Sequence, residues 1–171
     1  MSLFTNIIFF QTLDSTSEYL KRYYAEIPDH TIVVASYQTE GKGQFERTWE
    51  SQEGKNLLFS ILFKDNTDPG IVNQSFIKSM DQLLRDYEIK SWFKEPNDIY
   101  VYEKKIAGIL METKFEENNR EYLIVGIGIN VNQQYFEIEN AVSMSLANGI
   151  TYVLQDVLAK FLEYFEKNLY E

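Results

Sequence analysis

Residues 105–131, KIAGILMETKFEENNREYLIVGIGINV, decide how this chain is expected to fold. Two apolar segments rich in β-branched residues flank a polar stretch at 116–120, which predicts two antiparallel strands joined by a turn. Two more strands are expected before them, around 89–93 and 99–101, with a hairpin at Glu103-Lys104. Strands joined by hairpins favour an α+β fold with a mixed, mostly antiparallel sheet over a doubly wound parallel one. No alternation of strand and helix is expected.

Three helices are expected to pack against this sheet. The first begins at Ser15–Glu18, which has the serine and glutamate spacing of a capping box. The second begins at Asp68-Pro69, where an N-cap residue precedes a proline at the first helical position. The third, near the C-terminus, carries an apolar face between Val153 and Phe165. Further buried strands are expected at 7–10, 31–37 and 57–63.

The composition predicts a single domain, residues 1–171, and excludes several kinds of site. Hydrophobic residues make up 44% of the chain, which is enough for a buried core. The chain has 26 acidic and 16 basic residues, and its net charge of −10 argues against binding to a nucleic-acid backbone. It has no cysteine and a single histidine, His30, which excludes disulfides, thiolate metal sites and a histidine-rich zinc site.

The N-terminal residues show neither an export signal nor a membrane span. Residues 1–10, MSLFTNIIFF, have no basic residue before their apolar run, and the run is far shorter than the ~20 residues that cross a bilayer. A cytoplasmic protein that does not contact membranes is therefore expected.

A glycine-containing loop follows the predicted strand at 31–37 and is the first candidate site. From Gly41 to Trp49 it reads GKGQFERTW, which brings two glycines and two cations together. Backbone N–H groups at glycines can turn toward an anion, and Lys42 and Arg47 supply positive charge. An ordinary loop between strands explains the same pattern, and the phosphate-binding sequence GxxxxGK[ST] is absent.

Four other places combine polar groups with backbone that a ligand could approach. Pro-Asn-Asp at 96–98 is either a structural turn or part of a polar site. Lys105 begins an apolar strand, so its ammonium lies near a pocket at the sheet edge or reaches into solvent. Gly126 and Gly128 share one face of a strand, which leaves room for a flat ligand or for a closely packed helix. Asp14-Ser15-Thr16 offers hydroxyls and N–H groups at a helix N-terminus, or simply caps the helix.

Five segments, in chain order, resemble the conserved blocks of the biotin protein ligase family. The family blocks read DSTN, YQxxGRGRxxRxWxS, KWPNDI, KxxGILxE and GIGINxN. Here the chain reads DSTS at 14–17, YQTEGKGQFERTWES at 37–51, KEPNDI at 94–99, KIAGILME at 105–112 and VGIGINVN at 125–132. The resemblance covers most of the chain, and it implies the α+β fold that biotin and lipoate ligases share.

The resemblance implies a reaction in two steps. Biotin and Mg-ATP give biotinyl-5′-adenylate and pyrophosphate. The biotinyl group then passes to one lysine of a biotin carboxyl carrier protein or another carboxylase acceptor domain. ATP, Mg²⁺ and biotin are thus expected as substrates, with no permanently bound cofactor. Joining two anions requires fixed positive charge, backbone donors and excluded water more than it requires a covalent group on the protein.

The resemblance also assigns roles to individual residues. Biotin is expected to contact Ser15, Thr16, Gln38, Gly108 and Gly128. ATP and the adenylate are expected to contact Lys42, Gly43, Gln44, Arg47, Trp49, Lys94, Asn97 and Asn130. Lys105 is the expected central catalytic residue, touching both the biotin carboxylate and the phosphate, with Arg47 and Lys42 as the other catalytic cations. Asn97 and Asp98 are the expected metal ligands, although Asp98 could instead serve the acceptor lysine or the turn.

Several residues depart from the family blocks. Lys42 stands in place of an arginine, which keeps the charge but loses the bidentate geometry. Phe45 and Glu46 replace Arg-Gly, Glu95 replaces a tryptophan, and Ser17 replaces an asparagine. These changes leave open a catalytically degenerate protein that binds biotin without activating it. A lipoate or octanoate ligase or transferase of the same fold is the other alternative.

Two accessory regions of this family are not expected here. The sequence shows no helix-turn-helix region before residue 14 and no small β-domain after the last predicted helix. A repressor role is therefore not expected. An edge strand of the predicted sheet could pair two copies of the chain into a homodimer.

Overall fold

The computed structural model describes residues 1–171, which form a seven-stranded sheet and four helices. The strands are β1 (Ile7–Leu13), β2 (Ile32–Gln38), β3 (Leu57–Phe63), β4 (Trp92–Lys94), β5 (Asp98–Val101), β6 (Lys104–Glu116) and β7 (Asn119–Ile129). The helices are α1 (Thr16–Tyr23), α2 (Pro69–Asp86), α3 (Met144–Asn148) and α4 (Leu154–Tyr170). The strand order is β1-β2-β3-β7-β6-β5-β4, in which β1 and β2 are parallel and all other neighbours are antiparallel. The predicted α+β fold with a mixed, mostly antiparallel sheet is confirmed.

The hairpin predicted from the quoted segment forms the longest ladder of the sheet. Strands β6 and β7 pair from Ala107 opposite Ile129 to Glu116 opposite Asn119. The turn between them has two residues, and both have positive φ angles, 48° at Glu117 and 67° at Asn118. This is the geometry of a type I′ turn, whose twist matches that of the flanking strands. The turn is therefore shorter than the polar stretch from which it was predicted.

Helices α2 and α4 cover one face of the sheet and enclose the main core. Phe161 of α4 is fully buried there. Its ring lies 5.7 Å from that of Phe59 on β3 and 6.4 Å from that of Phe76 on α2, and it stacks on Phe165 at 5.5 Å. Aromatic rings in these edge-to-face and stacked arrangements contribute beyond the area they bury. The core therefore ties both helices to the central strands.

Helix α1 covers only part of the opposite face. Its Leu20 packs in a second buried cluster with Val33, Leu62 and Ile124 from three neighbouring strands. The helix begins after Ser15, whose hydroxyl accepts a hydrogen bond from the Glu18 N–H at 3.3 Å, as the capping sequence predicts. The rest of this face is left uncovered, and the candidate site lies there.

Three expectations about the elements are wrong. β1 is not a buried strand but an edge strand, and its Phe9 is 60% exposed, because only β2 pairs with it. Strands β1 and β2 are parallel and joined by α1, so one strand–helix–strand unit exists where none was expected. Helix α3 was not predicted, because five residues are too few to show a helical apolar period.

No helix has the length and apolar character that crossing a membrane requires.

Replacing Phe161 by alanine should destabilise the protein by about 3–5 kcal/mol, because the substitution leaves a cavity between α2, α4 and the sheet. The matched control is Phe115→Ala, since Phe115 lies on β6 and is 63% exposed. That change should alter the free energy of unfolding by less than about 0.5 kcal/mol. Urea denaturation of the two variants checks this, and equal losses would contradict the described core.

Candidate active site

A cleft of about 270 Å³ lies on the sheet face that α1 leaves uncovered. Its floor consists of small or apolar residues from β3, β6 and β7, namely Leu58, Ser60, Gly108, Gly126 and Gly128. The N-terminus of α1, the loop after β2 and residues 136–141 form its walls. Residues from all five of the sequence blocks quoted above therefore meet in one cavity.

The two glycines of β7 serve different contacts. A Cβ atom on Gly126 would lie 2.9 Å from Ser17 Oγ, so this glycine allows α1 to pack closely on the sheet. A Cβ atom on Gly128 would lie 2.6 Å from the Trp49 indole, which lies over this glycine inside the cleft. Close packing of a helix is therefore observed at Gly126, whereas the space over Gly128 is taken by the Trp49 indole.

Hydroxyl and amide groups gather at the end of the cleft next to α1. Gln38 Oε1 accepts hydrogen bonds from the Thr16 N–H at 2.8 Å and from the Thr16 hydroxyl at 3.1 Å. Ser60 Oγ lies 2.7 Å from the hydroxyls of both Thr16 and Ser17. These hydroxyls and that of Ser15 belong to buried residues. Buried polar groups with fixed partners can orient a ligand through hydrogen bonds.

Lys105 reaches the cleft because of a β-bulge. Ala107 pairs with Ile99, whereas Tyr100 pairs with Lys105 and leaves Ile106 as the extra residue. The side chains of Ile106 and Ala107 both join the main core. In a regular strand Lys105 would point to the same side as Ala107, and the bulge turns it to the cleft instead.

The ammonium of Lys105 lies between a carboxylate and an aromatic ring. Its Nζ is 2.7 Å from Asp98 Oδ1 and 5.1 Å from the centroid of the Trp49 ring. The first contact has the distance of an ion pair, although its angles are not those of a hydrogen bond. The Lys105 N–H donates to the Asn140 carbonyl at 2.7 Å, and its carbonyl accepts from the Val142 N–H at 3.0 Å. A partly shielded cation on such a fixed backbone can stabilise an anionic ligand.

The predicted anion loop is a small hairpin at the mouth of the cleft. Lys42 pairs with Thr48 across it, and the Gly43 N–H donates to the Arg47 carbonyl at 2.7 Å. The loop residues that line the cleft are Lys42, Gly43, Gln44, Arg47, Thr48, Trp49 and Glu50. Both predicted cations of the loop therefore lie on the cleft wall.

A chain of alternating charges holds this loop against α1. Lys42 Nζ lies 2.7 Å from Glu18 Oε1, which also lies 2.8 Å from Lys21 Nζ. Hydrogen bonds from Lys21 and Lys42 lower the pKa of the Glu18 carboxyl. Lys21 in turn forms an ion pair with Glu112 on β6. Glu18 is therefore ionised at neutral pH, and it orients Lys42 next to the α1 N-terminus.

Three further predicted residues line the cleft, and one does not. Asn97 lines it and donates through Nδ2 to the Ile109 carbonyl at 2.7 Å, which ties the turn before β5 to β6. Asp98 lines it as the partner of Lys105, and Asn130 lines it with its Oδ1 atom buried and without a hydrogen-bond partner. Lys94 lies outside, because it is on the edge strand β4 and its Nζ lies over the Tyr100 ring at 4.7 Å.

The residues that depart most from the family blocks lie outside the cleft. Phe45 and Glu46 form the tip of the loop hairpin, and Glu95 follows the edge strand β4. All three are exposed, and none lines the cleft. Their charges and shapes therefore do not alter its floor.

Sequence reasoning missed several residues of the cleft, including Ser60, Tyr100, Phe136, Ile138 and Asn140. Only Ser60 left a signal, as the one polar residue of the otherwise apolar strand β3. The wall at 136–141 left none, because its position depends on contacts with Lys105 and Glu50, which are distant in the chain.

Comparison with known proteins identifies relatives of this chain. A profile of the "Biotin/lipoate A/B protein ligase family" matches residues 9–130. The bifunctional ligase/repressor BirA of Bacillus spizizenii is 35% identical over 149 residues, which are 82% of this chain and 46% of BirA. BirA of Escherichia coli is 30% identical over 169 residues, 91% of this chain and 53% of the relative. The chain therefore spans about half the length of the curated relatives it matches.

A solved structure extends the similarity to three dimensions. The biotin protein ligase from Aquifex aeolicus in complex with biotin and ATP matches with a TM-score of 0.82 and 34% identity, over 98% of this chain and 71% of that chain. The match covers the sheet and the strands that form the cleft floor. With the family profile matching well over half of the residues, the chain belongs to the biotin/lipoate A/B protein ligase family.

Proposed function

We propose that this protein is a biotin protein ligase, which activates biotin with ATP and transfers the biotinyl group to a lysine of an acceptor protein. The observation that carries the proposal is the position of Lys105. Its ammonium stands beside a glycine floor, in a cleft with a hydroxyl-rich end and a cationic loop. A relative with 34% identity binds biotin and ATP.

In the first step a carboxylate oxygen of biotin attacks the α-phosphorus of ATP. Pyrophosphate leaves with the electron pair of the broken P–O bond, and biotinyl-5′-adenylate forms. Both reactants are anions, so their approach is opposed by charge repulsion. The Lys105 ammonium offsets this by contacting the carboxylate and the α-phosphate together, while Lys42 and Arg47 face the remaining phosphate charge. Because the Lys105 backbone is fixed on both sides, the ammonium needs little reorganisation.

The hydroxyl-rich end of the cleft takes the uncharged end of biotin. A ureido ring has two N–H donors and one carbonyl acceptor, which need partners such as the groups of Ser15, Thr16 and Gln38. Gly108 lies next to the Lys105 side chain and Gly128 lies under the Trp49 indole, so these glycines let both side chains stand close to the floor beside the bound biotin.

The nucleotide takes the other end of the cleft. Asn130 Oδ1 is buried and lacks a partner, so it can accept a hydrogen bond from an amino or hydroxyl group. The Trp49 indole offers a surface for stacking, and Gly43 and Gln44 belong to the loop wall beside it. We assign no nucleotide contact to Lys94, because it lies outside the cleft.

Asn97 and Asp98 fit a magnesium ion that arrives with the ATP phosphates. Mg²⁺ prefers oxygen ligands and is usually held by one or two carboxylates, water and phosphate. Asp98 supplies a carboxylate beside Lys105, and Asn97 is its neighbour on the cleft wall. When bound, the ion neutralises phosphate charge.

In the second step the amine of an acceptor lysine attacks the acyl carbon of the adenylate, and AMP leaves. The lysine must lose a proton, and we assign Asp98 as its acceptor once pyrophosphate and the magnesium ion have left. A biotin carboxyl carrier protein or carboxylase domain is the proposed acceptor, and the cytoplasm the proposed location.

Lys105→Ala should lower the rate of biotin-dependent pyrophosphate release by at least about a hundredfold, because it removes the charge shared by both reactants. Lys104→Ala is the matched control, since Lys104 is the exposed neighbour on the same strand and does not line the cleft. It should keep the rate within about twofold. A Lys105→Ala protein with the parent rate would remove Lys105 from the mechanism.

Biotin should bind at least about a hundredfold more tightly than lipoate or octanoate, because only biotin has a ureido group that can hydrogen-bond to the hydroxyl and amide groups at this end of the cleft. Competition calorimetry measures this. Gln38→Leu should weaken binding of biotin and leave that of octanoate unchanged. Displacement of biotin by an equal concentration of lipoate or octanoate would instead favour a ligase for those acids.

A further inference from the structure

Two segments form adjoining walls of the cleft. We call residues 41–54 the Trp49 loop and residues 133–141 the outer wall. We propose that Glu50 and Gln133 are positioning residues that couple these segments, so that they hold the nucleotide as one unit. The role in nucleotide binding rests on the proposed function, whereas the coupling itself does not.

Gln133 is the buried end of the coupling. Its side chain is fully buried at the start of the outer wall and does not line the cleft. Its Oε1 accepts hydrogen bonds from Asn56 Nδ2 at 2.6 Å and from the Gln52 N–H at 3.2 Å. Its Nε2 donates to the Tyr135 carbonyl at 2.8 Å. One amide thus bonds the Trp49 loop, the start of β3 and the outer wall together.

Glu50 is the second point of contact between the segments. Its Oε1 accepts a hydrogen bond from the Glu137 N–H at 3.0 Å, and Gln133 Nε2 lies 3.5 Å from the same oxygen. Glu50 directly follows Trp49, and Glu137 lies between Phe136 and Ile138, whose side chains line the cleft. A single carboxylate oxygen therefore fixes the spacing between the Trp49 side of the cleft and its outer wall.

The coupling extends to the central lysine. At the end of the outer wall the Asn140 carbonyl accepts a hydrogen bond from the Lys105 N–H, and the Val142 N–H that follows donates to the Lys105 carbonyl. Trp49 approaches the same lysine from the other side, 5.1 Å from its ammonium. Without the Glu50 contact, Gln133 alone joins the Trp49 loop to the outer wall, and the two sides are held less firmly. Part of the binding free energy of a ligand would then be lost in ordering the two sides. This loss weakens binding more than it slows the chemistry.

Glu50→Ala tests the coupling, with Glu50→Gln and Glu53→Ala as matched controls. The glutamine keeps an oxygen that can accept the Glu137 and Gln133 hydrogen bonds. Glu53 is an exposed residue of the same loop that contacts Gln11 and not the outer wall. All variants carry Trp92→Phe, which leaves Trp49 as the sole tryptophan.

Two measurements are made, acrylamide quenching of Trp49 without substrates, and steady-state pyrophosphate release with varied MgATP. Glu50→Ala should raise the quenching constant about twofold and the KM for MgATP about tenfold, with kcat within about threefold of the parent. Glu50→Gln and Glu53→Ala should keep both near the parent values. Gln133→Met, which removes both ends of the buried amide, should act in the same direction as Glu50→Ala.

Unchanged quenching in Glu50→Ala would overturn the coupling. A lowered kcat with an unchanged KM would also overturn it, because Glu50 would then act on the chemistry. Failure of the proposed function is a separate result, since it appears as no pyrophosphate release by the parent protein, and quenching still decides the coupling.

Discussion

Lys105 faces the candidate site because β6 has one residue more than β5 beside it, and the proposed chemistry depends on this β-bulge. Ile106 and Ala107 both enter the main core, while Lys105 and Gly108 face the cleft. A lysine that pointed into the core without a partner would lose its hydration, which costs several kcal/mol. The bulge therefore satisfies packing and places a cation beside Asp98. The hydrogen bonds of Asn140 and Val142 to the Lys105 backbone hold it there.

The same sheet face packs against α1 and forms the floor of the candidate site, and small side chains separate the two regions. Gly126 brings α1 against the sheet through Ser17, and two strand residues further along, Gly128 leaves the space that the Trp49 indole covers. Helix α1 contributes its apolar body to the second core and the hydroxyl of Thr16 to the cleft. The polar end of the cleft is therefore complete only when α1 packs on the sheet.

Strands were predicted most accurately where the apolar pattern was long and the paired residues lay close together in the sequence. Strand β3 has the bounds that its apolar run predicts, and the β6–β7 hairpin follows from two β-branched segments around a polar turn. The burial of β1 was predicted wrongly, because the sequence of an apolar strand at the edge of a sheet resembles that of a central strand.

The candidate residues were recognisable by type and order, but their contacts were not. Strict alternation of side chains along β6 would have put Lys105 on the core side, and the residue types in this strand do not predict the β-bulge. Lys94 was expected at the phosphates, yet it turns to the Tyr100 ring. The buried amide of Gln133 left no signal, because its partners come from segments distant in the chain.

The most direct test is mass spectrometry of the purified protein incubated with biotin and MgATP. Biotinyl-5′-AMP should accumulate only when both substrates are present, with an equal amount of pyrophosphate. Tight binding of biotin without any adenylate would contradict this prediction, and would identify the cleft as a binding site whose central lysine does not promote the reaction.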